Sequence, residues 1–340
     1  MTLPPLSDRV PALGVPGIPA GPDGVHWRPA ALDDVDALHD AIADVGRAEH
    51  PHFTIPREEV EEDLRADFAD LDRDSLVAHD GTGRVLGYGL ALRYPGQETI
   101  QKSILLGGVR PDDRGRGIGR RILDWQLARG AEQLRALDDR VPGWFQTWAY
   151  DVEGPQVRLL EHGGFRIARW FQDLHRDLAE PIAARELAGY QIVPLSSELH
   201  EATRLARNDA FRDHWSSQPS APEVWASAMR REVQRPDLSR VALAPDGSVA
   251  GFVLVEHNPE DTPAQGFSGA YIGLVGTVRE HRRRGVAPAL LAEVLRASRD
   301  AGLERAVLDV DSESPTGATG LYAALGFTEA QRSASLTIEF

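Results

Sequence analysis

At 340 residues the chain is longer than one hydrophobic core usually covers, and its 42% hydrophobic and 26% charged residues indicate a soluble globular protein of two domains. The net charge of −15 argues against nucleic acid or an anionic membrane as a partner, and no apolar run approaches the roughly 18 residues of a membrane span. The absence of cysteine excludes disulfides, thiolate metal sites and a cysteine nucleophile, and it favours a reducing compartment such as the cytoplasm.

The first 24 residues are rich in proline and glycine. Proline lacks the backbone N–H that a helix interior or a sheet ladder requires. The prolines of this segment are Pro4, Pro5, Pro11, Pro16, Pro19 and Pro22. We therefore predict a flexible tail over residues 1–24, which also lacks the basic start and unbroken apolar core of a secretory signal.

From residue 25 onward one order of elements occurs twice. It runs strand, helices, hairpin, strand, arginine-glycine turn, helix, strand, short helix and last strand. Corresponding segments are 25–29 and 190–194, 32–45 and 198–211, 76–90 and 241–254, and 144–149 and 306–310. Such a repeat indicates a duplicated domain. We predict domains at residues 25–180 and 190–340 with a linker at 181–189, each domain a mixed, twisted α/β sheet with helices on both faces.

Each half carries an arginine-glycine turn between an apolar strand and a helix, at residues 114–119 and 168 residues later at 282–287. A glycine-bearing turn that opens a helix leaves free N–H groups where the helix dipole is positive, which favours phosphate. The first turn has glycines spaced GxGxG rather than the GxGxxG of dinucleotide folds, and neither turn has the GK[ST] of a P-loop. Both of these nucleotide-binding folds are therefore weak alternatives.

The motifs Arg-x-x-Gly-x-Gly at 114–119 and Arg-x-x-Gly-x-Ala at 282–287 resemble the acyl-CoA pyrophosphate motif of the Gcn5-related N-acetyltransferase (GNAT) family. Residues 321–327, Leu-Tyr-Ala-Ala-Leu-Gly-Phe, are similar to that family's closing helix and the start of its last strand. Two such domains in one chain resemble the tandem acetyltransferases of actinobacteria. The resemblance covers about residues 25–340, and it implies acetyl-CoA as the acyl donor and an amine as the acceptor.

The resemblance also implies which residues bind the cosubstrate. In this family the strand before the turn parts from its neighbour and pairs with the pantetheine arm like an added strand. The implied residues of the first half are Gly107, Gly108, Val109, Arg114, Gly115, Arg116, Gly117, Ile118 and Gly119. Those of the second half are Val275, Gly276, Thr277, Arg282, Arg283, Arg284, Gly285, Val286, Ala287 and Ser314. Arg283 stands where the first half has Gly115, so a charged side chain replaces a glycine that would favour the turn.

Catalysis distinguishes the two halves. Direct acetyl transfer needs a neutral amine and an acid for the departing thiolate. The family resemblance assigns that acid to Tyr322, whereas the corresponding Leu160 of the first half has no proton to donate. We therefore predict that the C-terminal domain is catalytic. The N-terminal domain is predicted to be non-catalytic, either holding acyl-CoA or serving as a structural half that completes the acceptor cleft.

The proton acceptor is less well defined by the sequence. A two-domain relative carries a glutamate base in the strand before the second turn, and Tyr271 stands at that position here. We name Glu256 and Asp311 as candidate catalytic residues, with His257, Asp309 or a water chain as alternatives. A second departure is Ser314, which replaces an asparagine that the family often has before the closing helix.

Acceptor recognition is expected from the first two helices and their loop. Candidate substrate-binding residues are Asp213, which could pair with a cation, His214, Trp215, which could cover an ammonium group, and Tyr271. The counterpart in the first half is the segment 47–53, whose two histidines are too isolated to indicate a metal site. No metal is therefore predicted.

The sequence thus predicts a cytoplasmic acetyl-CoA-dependent N-acetyltransferase, monomeric or homodimeric, that acts on a primary amine of a small molecule. One alternative is an enzyme that acetylates a protein N-terminus or lysine. Another is a non-catalytic acyl-CoA-binding or regulatory protein.

Overall fold

A computed structural model describes residues 3–14, 16–50, 54–314 and 317–340. The chain divides into two compact units: the first is Met1–Arg169 with Ser333–Phe340, and the second is Trp170–Arg332. In these ranges no helix combines the length and the apolar character needed to cross a membrane.

The first unit contains a mixed sheet in which only β4 and β5 are parallel neighbours among the pairs described. Its strands, in order across the sheet, are β1 (His26–Arg28), β2 (Ser75–His79), β3 (Val85–Leu92), β4 (Gln101–Val109), β5 (Gly143–Ala149) and the end of β12 (Thr328–Glu339). Its helices are α1 (Leu6–Arg9), α2 (Val35–Glu49), α3 (Arg57–Arg65), α4 (Leu71–Asp74), α5 (Ile118–Arg135) and α6 (Pro155–His162).

Alternation along the strands builds a core on both faces of this sheet. On β2, Leu76 and Ala78 pack in one cluster with Ile122 of α5, whereas Val77 packs in another with Leu38 of α2. Successive side chains of a strand point to opposite faces, so α5 and α2 cover opposite faces. The predicted mixed sheet with helices on both sides is confirmed for this unit.

The second unit repeats the arrangement, again with one parallel pair, β10 with β11, among the pairs described. Its strands, in order, are β6 (Arg166–Asp177), β11 (Arg305–Asp311), β10 (Gly269–Thr277), β9 (Val249–Glu256), β8 (Arg240–Leu243) and β7 (Gln191–Pro194). Its helices are α7 (His200–Ala210), α8 (Pro222–Ala228), α9 (Asp261–Gln265), α10 (Val286–Asp300) and α11 (Ala318–Ala323). On β9, Val253 packs with Leu290 of α10, and Phe252 packs with Trp225 of α8, so helices again cover both faces.

The last strand of each half differs from the prediction. Residues 334–339 of β12 pair with β5 in the first unit, and residues 171–177 of β6 pair with β11 in the second. The compact units therefore do not follow the predicted domains 25–180 and 190–340, and the predicted linker 181–189 lies inside the second unit. A sheet edge offers the same backbone groups to either strand, so the apolar pattern of a strand does not specify which edge it joins.

The proline-rich start also differs from the prediction of a tail without structure. Residues 6–9 form α1, and the side chains of Leu6 and Val10 are buried in the core of the first unit. Arg9 donates hydrogen bonds of 2.5 Å to the carbonyl oxygens of Val141 and Phe340. The prolines permit this because Pro5 directly precedes the helix, where the missing N–H costs no helical hydrogen bond.

Candidate active site

The turn after β10 contains two residues with a left-handed backbone. Gly285 has a φ of 82° and directly precedes α10, so the first N–H groups of that helix have no carbonyl partner within it. Arg283 has a φ of 61°, which glycine adopts far more readily than arginine. Free N–H groups and the positive end of the helix dipole meet at this turn, and together they favour a phosphate group.

The turn after β4 has the same backbone form. Gly115 and Gly117 have φ values of 79° and 78°, and α5 begins at Ile118. Arg283 therefore takes the conformation of its counterpart Gly115, although its side chain is exposed and charged. The two turns thus share one backbone shape despite this difference in sequence.

The first arginine of each motif stabilises its own turn by hydrogen bonds. Arg114 donates from Nε to the carbonyl of Val109 at 3.1 Å and from Nη2 to Glu49 at 2.6 Å. Arg282 donates from Nε to the carbonyl of Thr277 at 3.4 Å and from Nη2 to the carbonyl of Ala210 at 2.8 Å. These side chains hold the turn to the strand before it and to the end of α2 or α7. Because these two arginines are already bonded within the chain, the backbone N–H groups of the turn are available to meet a phosphate.

The strand before each turn parts from its parallel neighbour, as the resemblance implied. β4 pairs with β5 only over residues 101–104, and β10 pairs with β11 only over residues 269–271. Beyond these pairs, β4 continues to Val109 and β10 continues to Thr277. The diverging strands leave backbone groups that an extended ligand could pair with.

In the first unit a cavity of about 290 Å³ lies at this divergence. It is lined by Gly107, Gly108, Val109, Arg114, Gly115, Gly117, Ile118 and Gly119, eight of the nine cofactor residues proposed for this half. The ninth, Arg116, donates to Asp113 at 2.6 Å. The cavity also reaches Thr147 on β5 and Leu160 on α6, so the residue corresponding to Tyr322 faces the same space.

Tyr322 lies on α11 and is 6% exposed. Its ring packs edge-on against Phe327, with 5.7 Å between centroids, within the core formed around α10. Burial raises the pKa of the Tyr322 hydroxyl to about 12, so the group is protonated at neutral pH. In the turn before α11, Ser314 donates its backbone N–H to the carbonyl of Asp311 at 3.0 Å, while residues 315 and 316 lie outside the described residues.

The residues named as candidate bases lie on the strands of the second unit. Glu256 ends β9 opposite Tyr271 and accepts a hydrogen bond of 2.6 Å from Gln234. Asp311 is 4% exposed and accepts the backbone N–H of Glu313 at 2.9 Å, the geometry of a side chain that caps a turn. The ring nitrogen Nδ1 of His257 lies 2.8 Å from the backbone oxygen of Gly269.

Asp309, named among the alternative bases, lies beside Tyr271 and opposite Asp173, a partner that the sequence did not indicate. The hydroxyl of Tyr271 donates to Asp309 at 2.8 Å, and Asp309 stands directly opposite Asp173 in the pairing of β11 with β6. The surrounding protein raises the pKa of Asp309 well above its usual range by desolvation, although one side of the residue reaches solvent. The neighbouring Asp173 carboxyl raises that pKa further, whereas the hydrogen bond from the Tyr271 hydroxyl lowers it.

The candidate acceptor residues occupy the loop after α7. Asp213 forms an ion pair of 2.5 Å with Arg279, so its charge is already balanced within the chain. His214 and Trp215 are half-buried, and the Nδ1 atom of His214 lies 3.1 Å from the backbone oxygen of Trp215. In the first-half counterpart, residues 51–53 lie outside the described residues. Tyr271 is on β10, so the four proposed acceptor residues come from two separate elements.

Comparisons with known proteins identify the family. A family model described as the acetyltransferase (GNAT) family matches residues 201–327. The mycothiol acetyltransferase of Thermobispora bispora is 31% identical over 225 residues, covering 65% of this chain and 70% of that protein. The mycothiol acetyltransferase of Nocardiopsis dassonvillei is 28% identical over 273 residues, covering 72% of this chain and 76% of that protein.

Solved structures extend the similarity to both units. A GCN5-related N-acetyltransferase from Sphaerobacter thermophilus aligns with a TM-score of 0.72 and 26% identity, covering 94% of this chain and 97% of that chain. A tandem GNAT protein from the clavulanic acid biosynthesis pathway shares the fold, with a TM-score of 0.62, 20% identity and coverage of 93% and 98%. With the turns and diverging strands described above, these matches show that the chain belongs to the GNAT family and is an N-acetyltransferase.

Proposed function

We propose that this enzyme transfers the acetyl group of acetyl-CoA to a primary amine of a small molecule, and that the second unit carries out the reaction. The observation that carries this assignment is the difference between Tyr322 and Leu160 at corresponding places on α11 and α6. Only the tyrosine has a hydroxyl that can protonate a departing thiolate.

The residues of each unit fit acetyl-CoA as cosubstrate. The N–H groups at Gly117 and Gly285 suit the pyrophosphate, because each precedes a helix whose first N–H groups lack partners. The divergence of β10 from β11 leaves strand backbone that suits the amides of pantetheine. The exposed guanidinium groups of Arg283 and Arg284 add positive charge beside the second turn.

Within the second unit, Tyr322 would act as the general acid. Its raised pKa keeps the proton on the hydroxyl until a stronger base, the leaving thiolate, develops beside it. Its packing against Phe327 fixes the ring in one orientation. Of the predicted bases, Asp311 accepts a hydrogen bond from the Glu313 N–H, which supports a turn-capping role rather than a role as base. One carboxylate oxygen of Glu256 accepts a hydrogen bond from Gln234.

The acidic residues on the strands of the second unit favour a small cationic acceptor. Glu256, Asp309 and Asp311 stand on β9 and β11, and the chain as a whole carries a net charge of −15. Because Asp213 is already paired with Arg279, we assign the contacts with the amine to the carboxyl groups of the sheet. His214 and Trp215 remain proposed as residues of the acceptor wall.

For the first unit we propose binding of acyl-CoA without turnover. The cavity there is lined by the turn and by the diverging strand, as binding requires, but Leu160 lies where an acid would stand. The first unit thus has a site for the acyl donor but lacks a residue that could donate a proton to the thiolate.

The assignment is tested by thiol release from acetyl-CoA in the presence of glucosamine, tyramine, spermidine and a lysine peptide, each assayed separately. We expect release with at least one free amine and none with the peptide. Release with the peptide alone would favour a protein acetyltransferase. Tight acetyl-CoA binding without release for any amine would favour a non-catalytic binding protein and contradict the proposal.

A further inference from the structure

Tyr271, Asp309 and Asp173 lie side by side on three adjacent strands of the second unit. The Tyr271 hydroxyl on β10 donates to Asp309 on β11 at 2.8 Å, and Asp173 on β6 stands directly opposite Asp309 in the strand pairing. Like charges on directly opposite residues of paired strands repel each other, which favours the protonated form of one of them. The Asp309 carboxyl therefore keeps its proton to a higher pH than an isolated aspartate would.

Asp309 lies at the divergence of β10 from β11. The last parallel pair joins Tyr271 to Val307, and Asp309 follows two residues later on β11, roughly 7 Å along the strand. Leu308 and Val310 point into the core around α10, so Asp309 between them points to the opposite face. Tyr322 belongs to that same core, so Asp309 and Tyr322 approach the divergence from opposite faces of the sheet.

The two carboxyls differ in exposure. Asp173 is 5% exposed, whereas Asp309 is open to solvent. A molecule on this face of the sheet can therefore contact Asp309, while Asp173 is buried and affects only the basicity of Asp309. The hydroxyl of Tyr271 fixes Oδ2 of Asp309 from the other side.

We propose that Asp309 is the catalytic base that takes a proton from the acceptor amine, with Asp173 and Tyr271 as positioning residues that set its basicity. This inference rests on the proposed function of the second unit and names the group that sequence reasoning left undecided. The two carboxyls that sequence reasoning preferred are less suitable. Glu256 is hydrogen-bonded to Gln234, and Asp311 is buried.

The ionised carboxylate of Asp309 takes a proton from the substrate ammonium, which breaks an N–H bond and leaves a neutral amine with a free electron pair. That pair forms the C–N bond with the acetyl carbon while the C–S bond breaks. Tyr322 gives its proton to the sulfur and regains one released from the new amide nitrogen. One proton is released to solvent overall, from Asp309 when the cycle closes.

The basicity of Asp309 follows from the groups that face it. Those on the same sheet face are Asp173 and His175 on β6, Tyr271 on β10, Glu256 on β9, and Arg305 and Asp311 on β11. Of these, Asp173 raises the pKa of Asp309 and the Tyr271 hydrogen bond lowers it. A carboxylate with a raised pKa is a stronger base for an ammonium proton, provided that the pH is above that pKa.

The test is the pH dependence of kcat/KM for thiol release with the amine that wild type uses best. Activity should rise with pH as Asp309 ionises. Asp173→Asn removes the like charge, lowers the pKa of Asp309 and should move this rise to lower pH. Tyr271→Phe removes the stabilising hydrogen bond, raises that pKa and should move the rise to higher pH. Asp309→Asn should reduce kcat/KM by about 100-fold or more while acetyl-CoA still binds.

Opposite displacements are the decisive result, because a loss of folding would not shift the two profiles in opposite directions. A rise that stays in place in both variants would overturn the inference, as would a rise displaced by Glu256→Gln instead. Full activity of Asp309→Asn would overturn it as well. If none of the amines supported thiol release by the wild-type enzyme, the proposed function would fail and the inference with it. That outcome is distinct from an active enzyme whose pH profiles do not move in the variants.

Discussion

Arg283 and Gly115, at corresponding positions of the two turns, share a left-handed backbone with φ values of 61° and 79°. The conformation costs an ordinary residue roughly 1–2 kcal/mol, whereas glycine adopts it freely. Arg283→Gly should therefore leave stability unchanged or raise it by up to about 1 kcal/mol, because glycine also loses more entropy on folding. Loss of the guanidinium should weaken acetyl-CoA binding several-fold. Chemical denaturation measures the change in stability, and calorimetry measures the change in affinity for acetyl-CoA.

The reverse exchange in the first unit is the matched control. Gly115 has open space around its missing side chain, so only its backbone resists substitution. Gly115→Arg should lower the stability of the first unit by about 1–2 kcal/mol. Marked destabilisation by Arg283→Gly would show that the arginine side chain makes stabilising contacts that outweigh its backbone strain.

Tyr322→Phe tests the proposed acid. The variant keeps the ring that packs against Phe327 and removes only the hydroxyl, so the fold and the affinity for acetyl-CoA should be retained. We expect kcat for thiol release to fall by about 100-fold or more, the usual contribution of a general acid. Unchanged kcat would refute the assignment of this residue.

The proposed acetyl-CoA sites of the two units can be distinguished by placing a negative charge at one turn or the other. Aspartate tolerates a left-handed backbone better than most residues, and a carboxylate would repel the pyrophosphate. Gly285→Asp should raise the KM for acetyl-CoA by a factor of ten or more, which corresponds to about 1.4 kcal/mol of lost binding free energy per tenfold change. Gly117→Asp should remove one of two acetyl-CoA equivalents measured by calorimetry. A wild-type stoichiometry of one would contradict binding by the first unit.

The closing strand of β12 should stabilise the first unit. Leu336 is fully buried there, and Leu336→Ala should cost roughly 2–5 kcal/mol and speed hydrogen exchange in β5. Leu308→Ala, at a similarly buried site on β11, is the control and should speed exchange in the strands of the second unit instead. Faster exchange in β11 after Leu336→Ala would contradict the strand assignment.

The sequence was sufficient for the features that rest on local chemistry. The turns, the helices that follow them and the mixed sheet were predicted from glycine placement and apolar spacing, and the divergence of β10 from β11 followed from the family resemblance. The sequence did not show that Tyr271 reaches Asp309, because the two are 38 residues apart and meet only through strand register. Nor did it show the Asp173 partner, because β6 belongs by sequence to the first half.

The N-terminal prediction failed for a related reason. Proline content indicated that residues 1–24 could not form regular structure, yet a four-residue helix needs few internal hydrogen bonds. Leu6 is held by tertiary packing, which composition does not reveal.

The position of β12 also determines when, during synthesis, the sheet of the first unit can be completed. Residues 334–339 are synthesised long after β5, the strand with which they pair in the first unit. The first half therefore leaves the ribosome with the edge of β5 uncovered, and an uncovered strand edge can pair with another chain. We expect that, during translation, the N-terminal half depends on protection from aggregation until its last strand emerges.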